Sequence, residues 1–597
     1  WFASCVPASG QLVTLEPPQR PPVDLPLQYN LWQAERIASE RGLAGAELRT
    51  EMSKRGITVV EGGLVHVEVV GPEGRASVDR ALVESFGGVT DTSWRHRLDA
   101  WVPIDRLTEL ASSLPEGYFI EKTGPGCPDD VLGEGPEAIN SLSYRNNNAF
   151  GQGLTVGVID GGFIGASAAQ ANGDLAGYGW VNYAYGDLED YSTHGTGAAE
   201  AFYDHAPGAV MWLYRTDSIS DMGNVVEHAI DNGVDVLTHS MSRYNTGWGD
   251  NSGDACAAAN QAAENGILFF TSAGNRAKQH WQGSYNPGAG EAFTHDWVYG
   301  DETIDMLVED GCMVYCYLSW AGDGNYLLDL LDSKLERVAS SAGYRFQEID
   351  WTNDTGSPQL MHLVVRLDPQ FPATGELELF VHNFYAGAEW QEHWKPENST
   401  TSPSNSTDSR VISVGAVPWS AFGSPPGTED IIASYSSQGP SNGGMTLPDI
   451  AGPTDTHGFT YPDGFGGTSC ATPNVAGAAT AFLSSDPAIA AYPLWWLMAH
   501  QSQYWRDWGD PGIDYIYGNG GAYLIDYVPK TLWVARDYGN TSDLRSAPFY
   551  TLQAAHDWAE PGGRLLVFPG GEYPEQATLT EEITVETLLN PAVFGTP

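Results

Sequence analysis

The feature that most constrains the fold of this chain is a regular alternation of apolar strands and helices over residues 154–271. Residues 154–159 form a continuous apolar run that ends in Asp-Gly-Gly. The segments that follow it, alternately of strand and helix type, are 210–214, 222–232, 234–237, 254–265 and 267–271. Such alternation is typical of a parallel sheet flanked by helices. We therefore predict an α/β core with helices on both faces of a parallel sheet.

The alternation stops after residue 275 and resumes near residue 411, which divides the core into residues 139–275 and 411–525. The interval, residues 276–410, is rich in Trp and Tyr and has patches of alternating polar and apolar residues at 313–320, 362–367 and 377–382. A period of two is typical of half-buried strands. We predict an inserted antiparallel β-sandwich.

Four further segments flank this core. Residues 1–56 are predicted as an N-terminal extension with two helices, near 31–41 and 45–55. Residues 57–122 are predicted as a compact α+β unit, with strands and helices in turn at 65–70, 77–86, 91–102, 105–114 and 118–121. Residues 123–138, rich in Gly, Pro and acidic residues, are predicted as a linker. Residues 526–597 contain short β stretches, the first at 531–534.

The charge of the chain excludes some classes of partner. The 597 residues include 28 Lys and Arg against 76 Asp and Glu, a formal net charge of −48. The acidic residues are dispersed, since residues 276–410 hold 21 acidic and 8 basic side chains, close to the average of the chain. Nucleic acids and anionic membranes need basic patches, so we expect neither as a partner. Dispersed acidity suits a protein to concentrated salt, which indicates a saline or marine source.

Several features indicate an extracellular or cell-surface protein. The chain begins at Trp1, which suggests that a preceding segment was removed. The sequence contains no run of 18 apolar residues, so we expect no transmembrane helix. Among the six cysteines, Cys5 and Cys127 could pair, whereas Cys312 and Cys316, roughly 13 Å apart along a strand, are too distant to bridge. N-glycosylation sequons begin at Asn353, Asn398, Asn405 and Asn540.

Three polar residues flanked by glycine or other small residues are candidates for chemistry. Asp160 ends the buried strand in Val-Ile-Asp-Gly-Gly, and His194 opens a helix in Thr-His-Gly-Thr-Gly. Ser469 precedes a helix of small residues in Gly-Thr-Ser-Cys-Ala-Thr-Pro-Asn-Val-Ala-Gly. Each motif alone is more often a turn, a helix start or a loop. A serine nucleophile, however, needs a base and a carboxylate that orients the base, and Asp, His, Ser is one of the chain orders in which such triads occur.

Together these motifs resemble those of the subtilisin-like serine peptidases, the subtilases. The segments around Ser469 and His194 are similar to the serine and histidine motifs of the family, and Thr-Ser-Ala-Gly-Asn at 271–275 is similar to its oxyanion motif. The resemblance covers about residues 140–275 and 410–525. It implies that Asp160 orients the imidazole, that His194 acts as base and then acid, that Ser469 attacks the carbonyl carbon, and that Asn275 donates a hydrogen bond to the oxyanion. It implies no cofactor for the chemistry.

The resemblance also implies where a peptide substrate binds. The family has a strand that pairs with an extended peptide, and the residues in that position are Ser240, Met241 and Ser242. The residues implied on the opposite side are Ser272, Ala273 and Gly274. Ser242 replaces the glycine that is usual in the family, so its side chain should narrow the pocket for the residue before the scissile bond. Asp-Gly-Gly likewise replaces the commoner Asp-Thr-Gly or Asp-Ser-Gly.

Other polar residues have plainer interpretations. Cys470, directly after the serine, is predicted to be a small buried apolar residue rather than a reactive thiol. His205, His228 and His239 lack the spacing of metal ligands and are predicted to be structural. The acidic cluster at residues 187–190 could hold structural calcium, which is common in the family, or could be a solvated loop.

The flanking segments resemble known modules less specifically. Residues 65–121 resemble a subtilase propeptide, the alternative being an ordinary α+β domain, and the inserted segment resembles the jelly-roll modules of secreted peptidases. Residues 532–574 resemble the opening of a right-handed parallel β-helix. Repeat folds need about three or more rungs to be stable. We therefore expect this segment to be part of something longer or to stack on another chain.

Two functions are compatible with these features. The first is a secreted serine endopeptidase that acts through an acyl-enzyme, with polypeptide substrates, its own propeptide-like domain as a partner, and self-processing. The alternative is a structural or adhesive assembly protein that stacks through its C-terminal segment and in which the peptidase domain is a scaffold or a maturation device. The presence of Asp160, His194 and Ser469 favours the enzyme, because a pseudo-enzyme would be expected to have lost one of them.

Overall fold

The structure is a computed structural model. It describes residues 59–587 except for gaps at 61–63, 73, 104–105, 123–126, 129–133, 176, 290–292, 344–345, 374, 384–387, 487–490, 529, 536–547, 560–562, 569–576 and 579–582. The predicted N-terminal extension, with its two helices and Cys5, and the Pro-Gly-Gly turn at 569–571 lie outside the described residues. None of the described helices is long and apolar enough to cross a membrane.

The N-terminal unit is an antiparallel sheet with two helices. Its elements are β1 (Val59–Val60), β2 (Leu64–Val70), α1 (Arg80–Ser85), β3 (Val89–Trp94), β4 (Arg97–Pro103), α2 (Leu107–Ser113) and β5 (Phe119–Lys122). The strand order is β1-β2-β4-β3, with β5 on the other side of β2. The prediction of one strand over 91–102 is wrong, because the chain reverses between β3 and β4, where Arg95 takes a left-handed φ of 52°.

The segment predicted as a linker contains regular structure. It includes a two-residue strand, β6 (Cys127–Pro128), and the helix α3 (Pro136–Ile139), and α4 (Leu142–Arg145) follows. β6 pairs with a strand of the core, as described below, so part of this segment is held against the core rather than spanning solvent.

The first part of the core alternates strands and helices as the sequence predicts. Its elements are β7 (Thr155–Asp160), α5 (Ala166–Asn172), β8 (Tyr178–Asn182), α6 (His194–Tyr203), β9 (Val210–Arg215), α7 (Ile219–Asp231), β10 (Val236–His239), β11 (Met241–Ser242), α8 (Asp254–Glu264) and β12 (Leu268–Ser272). The sequence analysis missed β8, whose side chains are only partly buried and therefore lack a continuous apolar run.

The inserted region consists of two antiparallel sheets around one apolar core. Its strands are β13 (His280–Ser284), β14 (Ile304–Val308), β15 (Met313–Trp320), β16 (Tyr326–Leu331), β17 (Arg337–Ser341), β18 (Phe346–Thr352), β19 (Gln359–Leu367), β20 (Glu376–Asn383) and β21 (Ala388–Trp390). One sheet has the order β13-β20-β15-β18 and the other β17-β16-β19-β14-β21. Along β14 the residues alternate between buried and half-buried, because one face of each strand packs against the facing sheet.

The chain then returns to the core and completes its sheet. The second part contains β22 (Val411–Pro418), a 3₁₀ turn (Trp419–Ala421), β23 (Ile450–Thr454), α9 (Thr468–Ser485) and α10 (Ala491–Trp505). The sheet has seven strands in the order β23-β22-β12-β10-β7-β9-β8, and every neighbouring pair is parallel. Apolar clusters cover both of its faces, which confirms the predicted α/β class. α9 is buried from Thr468 to Ser484, which its small side chains permit.

The C-terminal segment adds a small parallel sheet. β24 (Thr531–Val534), α11 (Leu552–Trp558), β25 (Arg564–Val567) and β26 (Thr584–Thr587) follow in turn, and the strands pair β24-β25-β26. Trp533 packs edge-on against Phe482 of α9, with ring centroids 5.4 Å apart. Parallel pairing of successive strands is the arrangement expected of β-helix rungs.

Candidate active site

Asp160 and His194 meet at the carboxyl end of the parallel sheet. Asp160 is the last residue of β7 and His194 is the first of α6, and both are almost fully buried. Asp160 Oδ2 lies 2.6 Å from His194 Nδ1, while Asp160 Oδ1 accepts from the Gly161 amide at 2.8 Å. Gly195 permits this approach, because a Cβ there would lie 2.7 Å from the Cβ of Asp160. The carboxylate therefore fixes the orientation of the imidazole.

Ser469 lies in the first turn of α9, which packs against α6. Its hydroxyl donates to the Ser240 carbonyl at 3.1 Å, and the Ser240 hydroxyl donates in turn to the Ser469 carbonyl at 2.9 Å. Among the described residues, the Ser469 hydroxyl therefore bonds to Ser240 and not to His194. Catalytic hydrogen bonds are often formed only when substrate is bound. Phe465 covers the imidazole edge-on, with ring centroids 5.3 Å apart.

Asn275 is oriented by the residue that precedes Ser469. Its Oδ1 accepts from the Thr468 amide at 3.0 Å and from the Thr468 hydroxyl at 2.9 Å. Because the amide oxygen is engaged in this way, the Nδ2 group is directed away from Thr468 as a donor. The structure thus brings Asn275 and Ser469 to the same edge of the sheet as Asp160 and His194. A carboxylate, an imidazole, a hydroxyl and an amide donor in this arrangement can perform acyl transfer.

The N-terminal unit is docked on the core next to this site. Arg97 of β4 contacts Glu68 within the unit (2.6 Å) and Asp254 at the start of α8 (2.8 Å). Glu68 also accepts from the amide of Ser220 in α7 at 3.1 Å. The buried indole of Trp94 packs against α7 where Gly223 leaves room for it. A buried ion network and an aromatic contact therefore join the two units.

The strand β11 contains residues that the resemblance assigns to substrate binding. In the structure, this strand pairs with another segment of the same chain. In β11, Met241 pairs with Pro128 and Ser242 pairs with Cys127, and the two strands are antiparallel. β6 begins five residues after the end of β5, the last strand of the N-terminal unit. The N-terminal unit thus leads directly into a segment that lies along β11 as a bound peptide would.

On the opposite side, Ser272, Ala273 and Gly274 also pair with the chain itself. Ser272 pairs with Val414 in the sheet, the Ala273 carbonyl accepts from the Thr401 amide at 2.9 Å, and the Gly274 carbonyl accepts from the Ser437 amide at 2.8 Å. Thr401 also donates through its hydroxyl to the Ser242 hydroxyl at 2.7 Å. The Ser242 side chain is therefore buried against Thr401.

Of the four residues predicted to be structural, His205, His239 and Cys470 are buried and His228 is half-buried. His205 bonds to Ser141 (2.7 Å) and Asn474 (2.9 Å), and burial lowers its pKa to about 4. Burial, with the charge of Arg243, lowers the pKa of His239 to about 3. Burial raises the pKa of the Cys470 thiol, so this cysteine is not a reactive thiolate. The fourth residue, His228, has its Nδ1 3.1 Å from the Tyr214 hydroxyl.

In the acidic cluster of residues 187–190, two carboxylates accept from backbone amides, and Glu189 accepts from the Gly165 amide at 3.2 Å. There Asp190 accepts from the Asp187 amide at 2.7 Å, as in a solvated turn. Within the described part of the chain, the side chains close enough to share a metal ion lie instead in the inserted region, and they are Asp301, Glu392 and His393. Asp301 Oδ2 is 3.1 Å from His393 Nε2, so a direct hydrogen bond already accounts for that contact.

Sequence reasoning missed several residues at the site. Thr468 lies inside the quoted serine motif, yet only the fold shows that it orients Asn275. Thr401 and Ser437 are distant in sequence from the strands they complete, and a run of Ser and Thr residues gives no signal of such contacts. Arg276 directly follows the oxyanion motif and could have been noticed on that ground.

Comparison with known proteins gives the following matches. The subtilase family model, Peptidase_S8, matches residues 374–520, a span that contains Ser469 and begins after Asp160, His194 and Asn275. Among solved structures, the chain is similar to the CspB protease of Clostridium perfringens, with 13% sequence identity and a TM-score of 0.43 over 65% of this chain and 97% of that chain. No curated protein sequence matches the chain.

Proposed function

We propose that this chain, whose residues 374–520 match the subtilase family model, is a self-processing serine endopeptidase that works through an acyl-enzyme on Ser469. The observation that carries the proposal is the 2.6 Å contact of Asp160 with His194 at the sheet edge where α9 presents Ser469. The contact supplies an oriented base beside a serine nucleophile.

In the proposed reaction, the Ser469 hydroxyl leaves the Ser240 carbonyl and gives its proton to His194 Nε2 as Oγ attacks the substrate carbonyl carbon. Asp160 stabilises the imidazolium that forms. Asn275 Nδ2 donates to the oxyanion, and His194 then protonates the leaving amine as the C–N bond breaks. A water molecule, deprotonated by His194, hydrolyses the acyl-enzyme and releases the new carboxyl group.

Labelling with a fluorophosphonate tests whether Ser469 is an activated nucleophile. We expect the reagent to modify Ser469 in the wild-type protein and to leave the Ser469→Ala variant unlabelled. Ser240→Ala is a matched control, because Ser240 contacts Ser469 but has no proposed role as a nucleophile. Labelling at another serine, or labelling that survives Ser469→Ala, contradicts the proposal.

The N-terminal unit is proposed to act as a propeptide that occupies the cleft and is cleaved from it. Pairing of Cys127 and Pro128 with β11 supports this role. Ser240, whose carbonyl holds the Ser469 hydroxyl, immediately precedes Met241, the partner of Pro128. We therefore propose that the first bond cleaved lies one or two residues after Pro128.

Intact-mass measurement tests self-processing. We expect the wild-type protein to separate into two fragments with a boundary between Pro128 and Glu134, and the Ser469→Ala protein to remain in one piece. Cleavage of both proteins at the same position shows that another peptidase is responsible. A wild-type protein that labels with fluorophosphonate but stays intact refutes self-processing without refuting the peptidase.

Export to the cell surface or medium is proposed from the dispersed acidic charge. Two of the four N-glycosylation sequons do not support export, because their asparagines, Asn353 and Asn405, are buried and hydrogen-bonded inside the fold. Secretion is checked by locating the protein in cell and medium fractions.

Structural calcium is proposed only from the family resemblance. Measuring the melting temperature at increasing calcium concentrations checks it.

Stacking through the C-terminal sheet is proposed as a second role. Every residue of β25 is buried, whereas those of β26 alternate between exposed and half-buried, and within the described residues β26 pairs with β25 alone. A parallel edge of this kind can accept a further strand. Light scattering on the Ser469→Ala protein should show self-association that a Val585→Lys substitution in β26 weakens. A monomer at all concentrations contradicts this role.

A further inference from the structure

The peptide unit that joins Asn275 to Arg276 is held at both of its polar atoms. Its carbonyl oxygen, on Asn275, accepts from Nη1 of Arg276 at 3.2 Å, and its N–H, on Arg276, donates to the Ser437 hydroxyl at 3.0 Å. The side chain of Asn275 is held separately, because its Oδ1 accepts from the amide and the hydroxyl of Thr468. The backbone of the candidate oxyanion residue is therefore fixed by a contact that depends on Arg276.

Arg276 is in turn a buried side chain whose donors bind partners on several sides. The residue is 6% exposed, and its Nε donates to the Tyr244 hydroxyl at 2.5 Å. Nη1 also donates to Oε1 of Gln279 at 2.9 Å, and Nη2 donates to Nδ1 of His382 at 2.6 Å. A guanidinium is planar and rigid, so partners placed in this way fix both its position and its plane. Arg276 is therefore a connecting residue rather than a group open to substrate.

Two of these partners connect Arg276 to the inserted region. His382 lies in β20, and the carbonyl of Gln279 accepts from the amide of Val381, also in β20, at 2.9 Å. Burial, and then the charge of Arg276, lowers the pKa of His382 well below its usual value, so its imidazole stays neutral and accepts through Nδ1. The position of the guanidinium therefore follows the position of β20.

Tyr244 connects the substrate strand to the same part of the inserted region. It lies two residues after Ser242 of β11, and its ring stacks on that of Tyr317 in β15 with centroids 4.7 Å apart. The ring of Phe380 in β20 lies 5.2 Å from it, also between centroids. Because β15 and β20 are neighbours in one sheet, the segment after the substrate strand packs on the sheet that holds Arg276.

We propose that Arg276 is a positioning residue through which the inserted region sets the Asn275 donor at the oxyanion. If the guanidinium is displaced, the Asn275 carbonyl loses this donor and the backbone can turn, which carries Nδ2 away from the oxyanion. An error of about 1 Å in the placement of a catalytic group can cost roughly 10²-fold in rate. The inference rests on the proposed peptidase function and adds a residue, and a domain, on which oxyanion stabilisation depends.

Steady-state kinetics of the full-chain protein with a chromogenic peptide test this role. Arg276→Met keeps most of the length of the side chain and removes its donors. We expect it to lower kcat about tenfold and to change KM by less than about twofold, because the oxyanion forms only after the substrate has bound. Removal of the donor itself in Asn275→Ala should cost more, roughly 10²–10³-fold in kcat. The melting temperature of each variant shows whether it is folded.

A double-mutant cycle shows whether Arg276 acts through Asn275. If it does, adding Arg276→Met to Asn275→Ala should lower kcat by less than about twofold, because the donor that Arg276 positions is already gone. An equal loss in the two backgrounds means that Arg276 acts elsewhere, and it overturns the inference. An Arg276→Met protein with the kcat of the wild type also overturns it.

Substitutions of His382 test the link to the inserted region while Arg276 is intact. His382→Asn keeps a neutral acceptor and should retain most of kcat, whereas His382→Leu removes the acceptor and should lower kcat as Arg276→Met does. Equal kcat in the two His382 variants overturns the inference, and this comparison decides it if Arg276→Met does not fold.

Arg366→Met is the matched control for damage to the inserted region. It removes an arginine that pairs with Asp329 in the facing sheet, and it should leave kcat within about twofold of the wild type. A loss as large as that of His382→Leu overturns the inference. A wild-type protein that labels at Ser469 and cleaves the peptide keeps the proposed function standing in each of these cases, and one that does neither overturns both.

Discussion

At the scale of single residues, the account depends on what the Asp160 carboxylate does for His194. Replacement by Asn keeps the size of the side chain but removes the charge that stabilises the imidazolium and fixes its tautomer. We expect Asp160→Asn to lower kcat by roughly 10⁴-fold. The rate of hydrolysis of a chromogenic peptide substrate measures the effect.

The control for this variant lies near the other end of the same strand. Asp235 accepts from the amide of Thr155, the first residue of β7, at 2.8 Å. Asp235→Asn makes the same chemical change away from the site and should leave kcat within about twofold, as is usual for a substitution outside the catalytic residues. Equal losses in the two variants indicate damage to the strand and contradict a specific role for Asp160.

At the scale of elements, Gly135, near the start of the core, is tightly packed against the side chains of other elements. A Cβ at Gly135 would lie 1.6 Å from Oδ1 of Asn474, in α9, and 2.4 Å from Nε2 of His205, two residues after the end of α6. We expect Gly135→Ala to destabilise the protein by about 1–3 kcal/mol, because these buried groups must shift. Urea unfolding of the variant in the Ser469→Ala background measures the loss.

Gly423→Ala is the matched control, since a Cβ there meets no atom within 4 Å. Its free energy of unfolding should lie within about 0.5 kcal/mol of the parent. If the two alanine variants are equally stable, the segment that begins at Gly135 is not packed against His205 and Asn474 as described.

The docked N-terminal unit should respond to pH through His66. Burial disfavours its imidazolium, but the hydrogen bond with Asp99 and the charges of Asp99, Asp217 and Asp221 outweigh burial and raise the pKa of His66. A raised pKa means that the folded state binds the proton more tightly. The stability from this group is therefore fully present below about pH 6.5 and is lost as the pH rises through the higher folded-state pKa.

Calorimetry of the Ser469→Ala protein between pH 6 and 9 checks this sign. The melting temperature of the N-terminal unit should fall as the pH rises, and His66→Gln should flatten that dependence. His228→Gln should not flatten it, because burial lowers the pKa of His228 and its contribution changes on the acid side instead. A melting temperature that rises with pH across this range would show that the sign is wrong.

The elements differ in how far the sequence predicts them. Most strands in the first part of the core are continuous apolar runs, so the sequence pattern predicts them with bounds shifted by one or two residues, whereas β8 and β23 were not predicted. β6 has two residues in a Gly- and Pro-rich segment and shows no periodicity; it forms because β11 offers an edge. The turn between β3 and β4 has Arg95 in the left-handed conformation, where most hairpins have glycine or asparagine. The sequence therefore gave no signal of this turn.

The same limit applies to the site. Asp160, His194, Ser469 and Asn275 each carry a local motif, so a single sequence reveals them together. Arg276, beside Asn275, is held by contacts with Tyr244 and with His382, which is 106 residues away. No local pattern encodes such contacts.

At the scale of the whole molecule, the net charge of −48 sets the conditions in which the fold is most stable. Dispersed like charges repel, and salt screens them over a Debye length that shrinks from about 10 Å at 0.1 M to about 3 Å at 1 M. We expect the melting temperature of the Ser469→Ala protein to rise when NaCl is raised over this range. Sucrose at equal osmolality is the uncharged control, and a salt effect no larger than that of sucrose contradicts the charge argument.

The central claim is that Ser469 forms a covalent acyl intermediate, and its direct test is mass spectrometry of the protein quenched with acid within milliseconds of mixing with an ester substrate. The account predicts a mass increase equal to one acyl group, located on Ser469 by fragmentation and missing from Ser469→Ala. Turnover that continues in Ser469→Ala, or an acyl group found on a different residue, would contradict it.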